Sequence, residues 1–117
     1  MYIKDANGKR YEYRQKLEKY LDNNEYEFYG YIKGYEKKGY NKKLLLIDIH
    51  NEKGDFISHH NFVELSNSVK KFLNKEENKK YTQIGKKIKF IAKTYQYTNT
   101  KGQNNLGLKM YKIIEGK

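Results

Sequence analysis

The chain has 117 residues, the size of one ordinary domain, and no cysteine, which excludes disulfides, thiol catalysis and Cys-ligated zinc. It carries 25 basic against 14 acidic residues, net +11, a balance that suits a polyanionic partner: nucleic acid, an anionic membrane surface or an acidic protein. The longest apolar run, Leu44 to Ile47, is far short of the roughly 20 residues of a membrane helix. The start, Met1-Tyr2-Ile3-Lys4-Asp5, has no apolar signal region, so the expectation is a cytoplasmic protein without membrane attachment.

Residues Asn7 to Asn24 read as a helix, with Tyr13, Leu17, Tyr20 and Leu21 on one stripe, Asn7-Gly8 as a start and Asp22-Asn23-Asn24 as a stop. From Glu25 the period changes to two. Tyr26, Phe28, Gly30 and Ile32 alternate with Glu27, Tyr29, Tyr31 and Lys33, a half-buried strand with Gly30 and Gly34 on one face. Glycine inside a strand marks a bulge, a bend or a close backbone approach. A basic turn, Glu36 to Lys43, leads to a second strand from Leu44 to His50. A hairpin loop at Asn51–Asp55 leads to a third from Phe56 to Glu64. Ser66 or Ser68 caps a short helix whose Val69, Phe72 and Leu73 share a face. Lys75 to Lys80 reads as a polar loop, Gly85 to Tyr97 as the fourth strand with Ile88, Phe90 and Ala92 inward, and Leu106 to Ile114 as the fifth. The loop between the last two strands spans Thr98 to Asn105.

Three strands, a short helix and two strands is the order of the OB-fold, a five-stranded Greek-key barrel. The expected class is therefore mainly β (α+β): an OB-like barrel over residues 25–117, preceded by a helical extension over residues 1–24. The run Leu44-Leu45-Leu46-Ile47-Asp48-Ile49, the segment Gly54 to Phe62 with His59 and His60, and Gly85-Lys86-Lys87-Ile88-Lys89-Phe90-Ile91-Ala92 resemble small OB-like proteins of phages and mobile elements in AT-rich Gram-positive bacteria. The likeness implies a fold and an origin, and brings no activity with it.

The candidate binding residues lie at odd positions. They are Tyr29, Tyr31, Lys33 and Tyr35 on the first strand, and Lys87, Lys89, Lys93, Tyr95 and Tyr97 on the fourth. Lys109 and Tyr111 on the fifth join them, with Lys37, Lys38 and Lys101 in the flanking loops. The first and fourth strands are neighbours in an OB barrel, so these rows are expected to form one face. Lys follows phosphates and Tyr stacks on bases, as in single-strand binders. The plain alternative is that Tyr is a good strand former and Lys an ordinary surface residue.

Lys, Asn, Tyr and Ile have AT-rich codons, so base composition supplies part of the charge without dictating where it falls. From Lys33 to Lys43 there are five basic residues and one acidic, and from Lys86 to Lys117 eight and one. From Asp5 to Glu27 acids slightly outnumber bases. The excess thus flanks the groove of an OB barrel. Lys rather than Arg favours nonspecific phosphate attraction over bidentate base reading.

His50, His59, His60 and Asp48 do not converge if the hairpin sets His50 opposite Phe56, Asp48 opposite Ser58 and Leu46 opposite His60, so no metal is expected. No cofactor fingerprint or catalytic motif occurs, and no enzyme activity is expected. The leading expectation is a small non-enzymatic module for single-stranded DNA or RNA. The alternative is a phage or mobile-element module that binds a host protein or nucleoprotein complex, such as a defence nuclease. The apolar stripe of the first helix either plugs the barrel or makes a homodimer or a host-protein contact.

Overall fold

Alternation of apolar and polar residues from Tyr26 onward builds a mainly β structure, seen in a computed structural model that describes residues 2–4, 10–12, 15–36, 43–98, 102 and 104–114. In chain order these form β1 (Tyr2–Lys4), β2 (Arg10–Glu12), a 3-10 turn (Gln15–Tyr20), β3 (Tyr26–Glu36), β4 (Lys43–Asn51) and β5 (Phe56–Leu65). α1 (Asn67–Asn74), a second 3-10 turn (Glu76–Thr82), β6 (Lys87–Thr98) and β7 (Asn104–Ile114) complete the order. β3 to β7 close into a barrel in the order β3-β4-β5-β7-β6, an OB-like arrangement. Its pairings are antiparallel except β5 with β7, which run parallel through Glu64–Lys109 and Leu65–Met110.

Inward positions of every barrel strand fill the core: Phe28 and Ile32, Leu44, Leu46 and Ile49, Val63, Ile88, Phe90 and Ala92, then Leu108 and Met110. Gly30 also faces inward, where an added Cβ would lie 3.3 Å from both the Ile47 carbonyl oxygen and Ile49 Cγ1. The β3–β4 register slips between Tyr29 and Tyr31 and again between Ile32 and Gly34. These slips bend the strand, as closing a small barrel requires.

α1 starts where Ser66 Oγ accepts from the Val69 backbone N–H at 3.3 Å, and it buries Val69 and Leu73. Residues 76–82 are not the expected polar loop but a helical turn. Asn78 Nδ2 donates to the Phe72 carbonyl at 2.8 Å, and Tyr81 is buried against Phe72, ring centroids 5.3 Å apart. A polar composition concealed one aromatic anchor.

The N-terminal helix also needs correction. Residues 10–12 pair with residues 2–4 as a two-stranded antiparallel sheet, and residues 15–20 form a 3-10 turn. Asn7 and Tyr13, two residues of the expected helix, lie outside the described residues. Asn-Gly, read above as a helix start, is equally the strongest short hairpin signal. A 3-10 turn has three residues per turn, so Leu17 and Tyr20 share a face and Leu21 rotates away. Accordingly Leu17 is fully buried in the barrel core, Tyr20 half-buried and Leu21 exposed. Tyr20 meets Tyr26 and Phe28 edge-on at 4.9 and 5.2 Å, and its hydroxyl accepts from Asn51 Nδ2 at 3.1 Å.

Two expectations follow for chemical denaturation. Leu17→Ala should lower stability by about 2–5 kcal/mol, the range for emptying a packed leucine site. Asn61 is fully buried, and among the described residues neither its Nδ2 nor its Oδ1 has a hydrogen-bond partner. Asn61→Leu should therefore raise stability by about 1–3 kcal/mol, the usual penalty of such an orphan; a loss would show that the amide has a bound partner.

Candidate nucleic-acid interface

The period that sends Phe28 and Ile32 inward turns Tyr29 and Tyr31 outward, half-exposed. Their partners across the β3–β6 seam are Lys89 and Lys87 respectively. The Lys87 ammonium lies 4.3 Å from the Tyr29 ring centroid. Further along β6 the partner changes from β3 to β7. Lys93 pairs with Lys109 and Tyr95 with Gly107. The ammonium groups of Lys93 and Lys109 lie 5.3 and 5.7 Å from the Tyr111 centroid. The Tyr95 and Tyr97 rings are 5.7 Å apart. Gly107 leaves room for the Tyr95 ring: a Cβ there would come within 2.8 Å of Tyr95 Cζ and Oη.

The expected single face is thus two clusters joined by β6. One holds Tyr29, Tyr31, Lys87 and Lys89; the other holds Lys93, Tyr95, Tyr97, Lys109 and Tyr111. Lys87 and Tyr95 are eight residues apart on one strand, roughly 26 Å. Half-buried Ile91 lies between them. Lys33 and Tyr35 join neither cluster. β3 and β6 run antiparallel and their pairing ends at Tyr31–Lys87, so β3 carries these two residues away alongside β4, where Tyr35 pairs with Leu44. Tyr35 packs partly on the core, and burial pushes its phenol pKa up, keeping it neutral at physiological pH. Lys37, Lys38 and Lys101 lie outside the described residues. Two half-buried carboxylates border the clusters, Glu27 opposite Ile91 and Glu64 opposite Lys109.

The hairpin register also differs from expectation. His50 does face Phe56, but Ile49 rather than Asp48 faces Ser58, and Ile47 rather than Leu46 faces His60. The β4–β5 register shifts between Ile49 and His50, so only the His50–Phe56 pair keeps the expected alignment; Asp48 takes φ 51°, a left-handed conformation that Asp tolerates better than most residues. Among the described residues no group of three or more His, Cys, Asp or Glu is placed to hold a metal ion.

The β3–β4 register sets His50 beside Tyr29, a contact the sequence reading missed. The two rings are parallel within 3°, with centroids 5.0 Å apart. On its other neighbour His50 meets Phe56 edge-on at 5.6 Å, and Lys16 Nζ lies 5.3 Å from the Phe56 centroid. The available signal was the predicted His50–Phe56 pairing; what it lacked was the β3–β4 register that brings Tyr29 alongside. Beyond Phe56 a cleft of about 770 Å³ is lined by Lys16, Glu18, Lys19, Asp55, Phe56 and Ile57, with as many acids as bases, so it does not extend the positive surface. At the start of β3 the Tyr26 hydroxyl donates to the Asp22 carboxylate. That bond, with the Asn24 backbone N–H, holds Asp22 below the usual carboxylate range and pushes Tyr26 up.

No protein-family model and no curated protein matches the chain, so the phage and mobile-element likeness has no support beyond the residues quoted for it. Among solved structures the chain is similar to the mitochondrial single-stranded DNA-binding protein Rim1 of S. cerevisiae, at 13% identity and a TM-score of 0.43. The similarity covers 83% of this chain and 100% of that one. The OB-like assignment rests on strand order and on the parallel β5–β7 pairing.

Gly107→Ala tests the seating of Tyr95. The flexible ring can move aside, so the variant should stay folded with a melting temperature close to wild type. The Tyr95 ring resonances should shift in NMR spectra while those of Tyr29 stay unchanged.

Proposed function

We propose that this protein is a non-enzymatic binder of single-stranded DNA or RNA, and that the strand runs along the outer face of β6 from the Tyr29–Lys87 cluster to the Tyr95–Tyr111 cluster. The observation that carries the reading is the interleaving itself. Ammonium groups lie 4.3–5.7 Å from the Tyr29 ring, near the start of β6, and from the Tyr111 ring, beside the middle of it. Phosphate contacts and stacking platforms therefore alternate at the scale of single nucleotides. A duplex offers no unpaired base faces, whereas a single strand offers one per nucleotide, at about 1–3 kcal/mol per stacked base. Lysine, a point charge without Arg's planar fork, favours binding with little sequence preference.

The test is fluorescence polarisation with labelled oligonucleotides over a salt series. Single strands should bind more tightly than duplex, with log affinity falling against log salt by about 0.7 per phosphate contacted. Lys89→Ala and Lys93→Ala should each flatten that slope by about one contact. Tyr31→Ala and Tyr95→Ala should cost about 1–3 kcal/mol and leave the slope unchanged, because stacking releases no counterions. Lys53, Lys75 and Lys79 are exposed and lie away from β6, in the β4–β5 turn and the α1 crossover. If alanine at these positions weakens binding as much as at Lys89, with silent tyrosines, net charge alone is responsible and the assigned face is wrong.

A further inference from the structure

Resting on the proposed single-strand face, we infer that His50 is a proton-dependent contact for the bound strand, tightening binding as the pH falls. Four observations place it there. Its ring is stacked on Tyr29, a member of the first cluster. Its Nδ1 lies 2.7 Å from the Asp48 carbonyl oxygen; a carbonyl only accepts, so Nδ1 carries the hydrogen and neutral His50 presents an unprotonated Nε2. Nε2 has no hydrogen-bond partner among the described residues, and the ring is only half-buried. Protonation therefore adds both a charge and an N–H donor at that atom, the two features that recognise a phosphate oxygen.

The surroundings make the proton uptake depend on the ligand. Tyr29 faces His50 from β3 and Phe56 from β5. Lys87 stands over Tyr29 and Lys16 over Phe56, a cation beyond each neighbouring ring. Lys89 is the partner of Tyr29, and Asp55 precedes Phe56. On its own strand the exposed Asp48 lies two residues back, with Glu52 and Lys53 in the turn ahead. His50 makes no ion pair among these. A phosphate brought against Nε2 favours the imidazolium, as an anion beside a histidine does. Histidine is the side chain whose charge ordinarily changes between pH 5 and 8. A group that gains a proton on binding contributes affinity that is present at low pH and lost as the pH rises.

The experiment measures binding of a labelled oligothymidylate, whose bases do not titrate in this range, at pH 8 and pH 5.5. Wild type should bind about three- to tenfold more tightly at pH 5.5, with a salt slope steeper by about 0.7, one added phosphate contact. His50→Gln should remove both changes, while His59→Gln and His60→Gln keep them. His50→Lys, which carries the charge at both values, should bind at pH 8 as wild type does at pH 5.5. If wild type binds with no pH dependence, or His50→Gln retains it, the role of His50 is overturned while the binding face stands. No binding at either pH overturns the face itself.

Discussion

One strand has to do two incompatible things: β3 must hold a partner on each edge and still bend far enough for the barrel to close. It pairs with β4 along one side and with β6 along the other. Glycine resolves the conflict. At Gly30 the strand passes close enough to β4 that even a methyl group would press on the Ile47 carbonyl, and the register slips there without loss of the pairing on the β6 side. A continuous β3–β6 ladder beside a slipped β3–β4 ladder fixes which outward residues become neighbours. Tyr29 stands between Lys89 and His50 because of it. The candidate interface is in this sense a by-product of barrel closure.

Most of the barrel was legible because its signals are local. Two-residue alternation, Ser66 before Val69, and the Asn51–Asp55 turn each depend on side chains within a few positions of one another, and the strands and α1 lie where these signals place them. The errors arise where a tertiary contact decides. Leu17 and Tyr20 fit an α-helical stripe equally well on paper, but a core with room for one leucine and one ring edge selects the tighter turn. Tyr81 turns an apparent polar loop into part of the core. Between Ile49 and His50 the hairpin register shifts by one, which no periodicity reveals.

For the interface, parity was legible and position along the strand was not. That Tyr29, Tyr31, Lys89, Lys93 and Tyr95 all turn outward follows from their odd spacing. Whether they meet depends on how far two antiparallel strands overlap. The overlap of β3 with β6 stops at Tyr31, so Tyr35 and Tyr95, equivalent by parity, are carried to different parts of the barrel.

The intramolecular pairing of lysine with tyrosine has a consequence for how such a face would take up a ligand. Before binding, Lys93 and Lys109 lie over Tyr111, and Lys87 over Tyr29. At exposed sites such cation–π contacts are worth about 0.5–1 kcal/mol. A stacked base is worth about 1–3 kcal/mol on the same ring, and the displaced ammonium moves only a few ångströms to reach the adjoining phosphate, which it neutralises with release of a counterion. On these ranges both steps of such an exchange would be downhill, with the lysines already held near the nucleotide that would displace them. A lysine free in solvent would have to be ordered on binding, at up to about 2 kcal/mol of rotamer entropy. On the proposed reading the rings would serve first as seats for the ammonium groups and then as platforms for the bases, so that little new order would be imposed on the protein by a bound strand.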